Sequence, residues 1–395
     1  MKYITRAVLI LSVVSLLNDV SSEMLYPIMP MFLKSIGFTA AIIGILEGVA
    51  EAIAGLGKGY FGQLSDKSGK RLPFVKWGYF ISAIGKSMPG LYTFTAWIFS
   101  SRSLDKMGKG LRTAARDAML SDETTKENKG KVFGFHRGMD TFGAVIGPAI
   151  ALIWIFYKPG DYKNIFLISF IPAIICVGFL FLLKEKSNPE KKASSQKKTI
   201  FNINLLKFWR ESGSDYKKVV GGLLAFAFFN SSNFFLLLMM KQKGLTDFQI
   251  IEVYIFYNII YAAASYPFGG LGDRVGMKTA FLIGLVLFAV VYGGMALTDN
   301  LYIYYFLFFL YGLYSAATDG IASAWVSNIS KKGSVASGIG FYAGMNSIFL
   351  LFASVIAGII WGHFGAPATF IVTAIGTAVV VLYFMLMRFE KADVE

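Results

Sequence analysis

Between apolar stretches long enough to cross a bilayer, the segment RSLDKMGKGLRTAARD at 102–117 places seven charges in sixteen residues. Two kinds of chemistry are open to residues of these types. Arginine and lysine bind carboxylate or phosphate, the guanidinium through two parallel hydrogen bonds. Carboxyl groups in a dry site take up and release protons as neighbouring cations approach or withdraw. At about 100° per residue, Arg102, Asp105, Lys106, Lys109, Arg112, Arg116 and Asp117 fall within an arc of about 140°, and Leu104, Met107, Leu111, Ala114 and Ala115 fill the remainder. The spacing predicts one amphipathic helix with a charged stripe, not a loop. A charge facing lipid at the bilayer centre costs roughly 2.5–3.5 kcal/mol, so the stripe must face partners or a wet cavity.

Partners stand on other apolar runs. Asp19 and Glu23 are one helical turn apart, Glu47, Glu51 and Lys58 share a face, and His136, Arg137 and Asp140 follow further on. A rise of about 1.5 Å per residue puts Asp19 and Arg102 at similar depth, near mid-membrane. Asp19, Glu23, Glu47, Glu51, Arg102, Asp105 and Lys106 can therefore share one network, with Arg116, Asp117, Arg137 and Asp140 nearer one end. Asp19 and Glu23, then Glu47 and Glu51, are the candidates for carrying protons. Candidates for holding a charged solute are Arg102, Asp105, Lys106, Lys109, Arg112, Arg137, Asp140 and Asn18. The competing reading is internal neutralisation, because seven interior acids nearly balance nine basic residues in this half.

The elements that must position these residues follow from composition. The chain has 395 residues, 55% of them hydrophobic and 16% charged, with mean hydropathy +0.57. That is too apolar for soluble domains and predicts a polytopic membrane protein. MKYITRAVLILSVVSLL resembles a secretory signal without a small-residue cleavage site, so it is read as an uncleaved first helix. The net charge of +14 is concentrated in loops, which argues against nucleic acid as a partner. Between Lys184 and Lys218, ten basic residues stand against four acids, predicting a basic linker in which INLLKFW lies on the membrane surface as a short amphipathic helix. With DKSGKR, DRVGMK and Lys331–Lys332 on the same side, the bias places these loops and both termini in the cytoplasm of a bacterial-type inner membrane. One cysteine, Cys176, and two distant histidines offer no disulfide framework, metal site or nucleophile, so neither an enzyme nor a cofactor is expected.

Apolar runs predict twelve spans: 7–33, 40–63, 73–92, 94–119, 131–156, 163–184, 218–240, 247–270, 277–298, 301–328, 334–361 and 366–388. The halves repeat. GQLSDKSGKR at 62 recurs as GGLGDRVGMK at 269, GFHRGMD at 134 as GFYAGMN at 340, and GLRTAARDA at 110 as GLYSAATDG at 312. Ordered matches at nearly constant offset imply duplication. The expected fold is all-α, with two pseudo-symmetric six-helix bundles at 1–184 and 218–395 joined by a cytoplasmic linker at 185–217. In the second half Arg112, Arg116, Arg137 and Asp140 become Tyr314, Thr318, Ala343 and Asn346. A purely structural stripe would be needed twice, so the first half is expected to handle charge and the second to supply a neutral, aromatic wall.

A six-plus-six duplication with this loop after span two resembles the major facilitator superfamily. Gly62, Leu64, Ser65, Asp66, Lys67, Gly69, Lys70 and Arg71 match its signature, and Asp273 and Arg274 sit in the repeated copy. Arg102, Gly108 and Gly110 match the family's span-four pattern, which Asp105 and Lys106 depart from. Gly143, Gly147 and Pro148 resemble its antiporter motif in span five, although the terminal glycine pair is Ala151 and Leu152 here. The resemblance implies two bundles rocking about a central cavity, and a gate latch at Asp66, Lys67, Lys70 and Arg71 with Arg112 or Arg116 as partner and Asp117 beside it. It also implies a monomeric secondary transporter whose partners are lipid, protons and a small solute. The charged cavity favours an anionic or zwitterionic solute, and the antiporter-like motif favours export. A multidrug/proton antiporter for amphipathic cations is the alternative within transport, and a non-transporting receptor or scaffold the alternative outside it. GKGYFG at 57 fits a dinucleotide fingerprint but follows no strand, and GYFISAIGKS lacks the first glycine of a phosphate loop.

Overall fold

The computed structural model describes residues 4–124, 129–184, 205–318, 321–330 and 335–388. Among them every regular element is helical. Span one is Arg6–Leu25 continued by Ile28–Ser35, span two Ala40–Ser68, span three Leu72–Ser87 with a 3-10 turn at Met88–Gly90, and span four Thr95–Asp122. Span five is Lys129–Tyr157 and span six Tyr162–Phe179 with a 3-10 turn at Leu180–Leu182. Span seven is Ser214–Phe229 with Phe234–Gln242, span eight Asp247–Val275 and span nine Met277–Leu297. Span ten is Leu301–Thr318 with Ile321–Ile329, span eleven Val335–Phe364 and span twelve Ala366–Leu386.

Ten of these are long and apolar enough to cross a membrane by composition alone. Span three, at 16 residues, is short for that, and span four is an unbroken helix of 28 residues that carries the charged stripe. Two runs expected to be continuous are interrupted. Span one breaks before Ile28 at Pro27, whose ring removes an N–H and crowds the preceding turn. Span seven breaks at Asn230–Asn233, where short polar side chains compete for the backbone. There Ser354 Oγ accepts the Ser232 N–H at 3.1 Å, so the freed backbone group is satisfied. Gly69 and Gly276 occupy duplicated positions after spans two and eight, and both have positive φ, 64° and 85°. The turn thus accounts for glycine in both copies of the loop. Most of the expected linker lies outside the described residues. The helix Leu205–Glu211 is found, with Trp209 stacked on Phe341 at 5.6 Å, so its aromatics pack on span eleven.

The chain forms two compact units. The first comprises Met1–Phe38, Val49–Phe201 and Gly244–Ile255. In it, span one packs on spans five and six, and span three on spans four and six, around Val8, Leu11, Val14, Val75, Tyr79, Ala115 and Leu180. The second comprises Thr39–Gly48, Asn202–Lys243 and Phe256–Glu395. Its span nine packs on spans ten and twelve and its span seven on span eleven. Aromatic rings fill its centre, with Phe288 stacked on Tyr292 at 4.1 Å and meeting Tyr314 at 4.8 Å and Phe226 at 5.1 Å.

Candidate functional site

The stripe of span four is held by backbone-to-backbone contact with its neighbours. A Cβ on Gly108 would lie 2.5 Å from Gly78 O, and one on Gly85 would lie 2.6 Å from Asp105 N, so spans three and four touch without side chains between them. Gly110 meets Gly57 of span two in the same way, which explains the first glycine of GKGYFG as a packing residue, whereas a Cβ on Gly59 would meet nothing within 4 Å. On span five, Gly143 and Gly147 lie against span one. A Cβ there would come within 2.6 Å of Leu16 O and 2.5 Å of Val20 O. The antiporter-like glycines therefore seat the turn that carries Asp19 and Glu23.

Three of the stripe's charges are taken up by acids. Lys106, 7% exposed, is ion-paired with Glu51 of span two. Arg102 Nη1 stands 3.5 Å from Asp105 Oδ2, and Asp105 also accepts from Ser82 Oγ at 2.5 Å. Arg116 binds Asp117 at 2.9 Å and donates to Ser15 Oγ of span one at 3.0 Å. Arg112 is buried with its guanidinium over the Tyr79 ring, 4.5 Å from the centroid, and its Nη1 has no hydrogen-bond partner among the described residues. Lys109 is exposed and has no acid within ion-pair distance among the described residues. The charges around it include Lys106, Glu51, Arg112 and Asp105, so it shares the interior face of the stripe.

On span one, Asp19 accepts from Asn18 Nδ2 at 3.1 Å, and the charges around it are Asp140, Arg116, Arg112 and Lys86. Glu23, one turn on, accepts from the Tyr254 hydroxyl at 2.7 Å. Tyr254 belongs to the first unit and stacks on Tyr26 at 5.3 Å. Of the span-five candidates, Asp140 lies 3.8 Å from His136 Nε2, whose other ring nitrogen faces Ser12 Oγ at 3.4 Å. Arg137 is exposed. Glu47 is buried and belongs to the second unit, not the first. In the gate loop, Gly62 meets Ala114 of span four, Lys70 is exposed, and Arg71 pairs with Asp122 at the end of span four. Arg112 and Arg116, the partners expected for Asp66, are engaged by Tyr79, Asp117 and Ser15. The side chains of Asp66, Lys67, Asp273 and Arg274 lie outside the described residues.

Two further residues complete the site: Lys86, which sequence reasoning counted among the nine basic residues of this half without making it a candidate, and Tyr254, which it did not single out. Lys86 of span three, 4% exposed, donates to Asn18 Oδ1 at 2.8 Å and to Asn18 O at 3.3 Å. A lysine in an apolar span is itself the signal, by the rule that singled out Arg102. Tyr254 gives no such signal, because a tyrosine in an apolar helix reads as core.

Among the described residues, ten helices long and apolar enough to cross a membrane, a duplicated glycine turn and a charge-lined interior in one half describe a multi-pass membrane protein of the transporter class. The family profile described as Major Facilitator Superfamily matches residues 11–214 and 219–394, and the chain belongs to that family. It is 35% identical over 369 residues to the uncharacterized MFS-type transporter MJ1317 of Methanocaldococcus jannaschii, covering 91% of this chain and 89% of that one. It is 24% identical over 269 residues to the sialic acid transporter NanX of Escherichia coli, covering 67% and 64%. Among solved structures, a POT family transporter in complex with 5-aminolevulinic acid superposes with TM-score 0.80 at 12% identity over 96% of both chains, a likeness of fold.

Proposed function

We propose that this protein is a monomeric, proton-coupled secondary transporter that moves a small anionic or zwitterionic organic solute by alternating access, with export the favoured direction. The observation that carries the reading is the division of labour within the first unit. Glu51 and Asp105 are paired with Lys106 and Arg102, whereas the hydrogen bond to Glu23 comes from a neutral phenol. Glu23 can therefore gain or lose a proton without leaving a buried cation unpaired, and Asp19 beside it shares its local field with Asp140. Lys109 has no acidic partner among the described residues, and Arg112, stacked on Tyr79, keeps Nη1 without a hydrogen-bond partner there, so these two side chains offer donors to a carboxylate or phosphate. The sialic acid transporter among the relatives, named for an acidic solute, supports the same class. Arg137 and Asp140 extend this surface. The basic loops favour cytoplasmic termini in an inner membrane, and 1–184 and 218–395 are the two rocking bundles. Asp66, Lys67, Gly69, Lys70 and Arg71, with Asp273 and Arg274 in the repeat, form the gate loops.

The test is flux in proteoliposomes under an imposed proton gradient, screened over anionic, zwitterionic and cationic solutes. Gradient-driven flux of an acid that disappears in Glu23→Gln, while solute exchange without a gradient persists, supports the reading. Undiminished gradient-driven flux in Glu23→Gln overturns the coupling role. A second reading draws on the aromatic interior of the second unit, where Tyr257 and Tyr311 stand 5.3 Å apart. Such a wall suits amphipathic cations, with Asp19 and Glu23 as counter-charges. Flux confined to cations decides for that reading, and binding without flux of any solute decides for a receptor.

A further inference from the structure

The first unit contains a cavity of about 480 Å³ apart from the stripe, at the end where spans one and three begin and spans four and six finish. Its volume falls in the roughly 300–1,000 Å³ range of ligand pockets. One wall is apolar, built from Ile10, Leu11 and Leu183, all buried. The rim carries Arg6, Arg71 and Lys184 against Asp122 and Glu123. The acids are already engaged: Asp122 pairs with Arg71, and Glu123 Oε2 accepts from Thr5 Oγ1 at 2.8 Å. Arg6 and Lys184 remain, exposed and with no acidic partner among the described residues. An apolar wall beneath two cations that find no acid among the described residues, at the depth where spans meet the headgroup layer, fits an amphiphile with a negative head.

The duplicated half supplies the comparison. Arg71 corresponds to Lys278 at the offset of 207 that relates the two loops. In the second unit Lys278 Nζ donates to Met387 O at 2.7 Å, tying the start of span nine to the end of span twelve, and Tyr383 donates to Lys218 O at 2.8 Å. The residue at the place of Arg71 is thus spent on a backbone carbonyl in the second unit, whereas in the first unit it stands on the rim of the cavity. We propose that this cavity binds the phosphoglycerol headgroup and first methylenes of an anionic glycerophospholipid, with Arg6 and Lys184 holding the phosphate and Ile10, Leu11 and Leu183 holding the chains.

The full chain is purified in neutral detergent, and phosphatidylglycerol, phosphatidylcholine and soluble glycerol phosphate are titrated, with binding read by native mass spectrometry and the unfolding midpoint. Phosphatidylglycerol is expected to bind and stabilise preferentially. The double variant Arg6→Gln, Lys184→Gln should weaken it by roughly tenfold to thirtyfold, given the worth of each basic side chain near a headgroup. The matched control Arg210→Gln, Arg388→Gln removes equal charge from the second unit and should leave binding nearly unchanged. Ala7→Trp, which fills the cavity, should abolish it; if that variant does not fold, the charge pair and its control still decide. Equal binding of phosphatidylcholine, equal loss in the control variant, or glycerol phosphate binding as tightly as the lipid would each overturn the proposal.

Discussion

Replacing Gly147 by alanine tests whether the span-one carboxyls depend on the glycine seat of span five. The added Cβ would lie 2.5 Å from Val20 O, 2.7 Å from Met24 N and 3.1 Å from Glu23 C. These are backbone atoms, so no side chain can swing aside, and ordinary contact near 3.4–4 Å is regained only if the helices part by about 1 Å. Overpacking of this kind costs about 1–3 kcal/mol. The unfolding midpoint should fall by several degrees. Function should suffer more than stability, because a displacement of about 1 Å at a reacting group can cost about a hundredfold in rate. The same helix supplies its own control. Nothing lies within 4 Å of a Cβ on Gly138, so Gly138→Ala should stabilise by roughly 0.5–1 kcal/mol through helix propensity alone. The assay pairs thermal unfolding with gradient-driven flux for both variants. If Gly147→Ala matches Gly138→Ala in midpoint and flux, the close approach of spans one and five is not what positions Asp19 and Glu23, and the reasoning fails.

Other outcomes follow from single contacts. Lys106→Met should destabilise by about 1 kcal/mol, since Glu51 remains 39% exposed, and adding Glu51→Gln should recover part of it; strictly additive midpoints would argue that the pair is not coupled. Lys109→Ala should leave the midpoint within about 0.5 kcal/mol of the parent because the residue is exposed, yet raise the KM for an anionic solute in flux assays. An unchanged KM for every anion removes Lys109 from the solute surface. Ser354→Ala strips the Ser232 amide at the span-seven break of its acceptor and should cost about 1–3 kcal/mol, whereas Ser354→Thr, which keeps the hydroxyl, should cost less; equal losses would point to packing instead.

The sequence by itself determined the class of molecule and most of its architecture. Span length is a local property, set by about 20 apolar residues per crossing, and the duplicated loops disclose the six-plus-six order without any contact being known. The stripe of span four was legible for the same reason, since helical angle depends on spacing alone, and Thr95–Asp122 is one helix. The breaks in spans one and seven were less legible, because Pro27 and the Asn230–Asn233 cluster permit an interruption without requiring one. Partner choice was decided only by tertiary structure. Periodicity puts Asp19, Glu51, Arg102 and Lys106 at similar depth, but it cannot say that Lys106 takes Glu51, that Arg112 turns to Tyr79, or that Lys86 reaches Asn18. Those pairings depend on which helices the glycines allow to touch, and Tyr254 comes to Glu23 from more than two hundred residues away. A charge buried in a membrane must find a partner, and sequence states that obligation; the packing of helices selects which partner meets it.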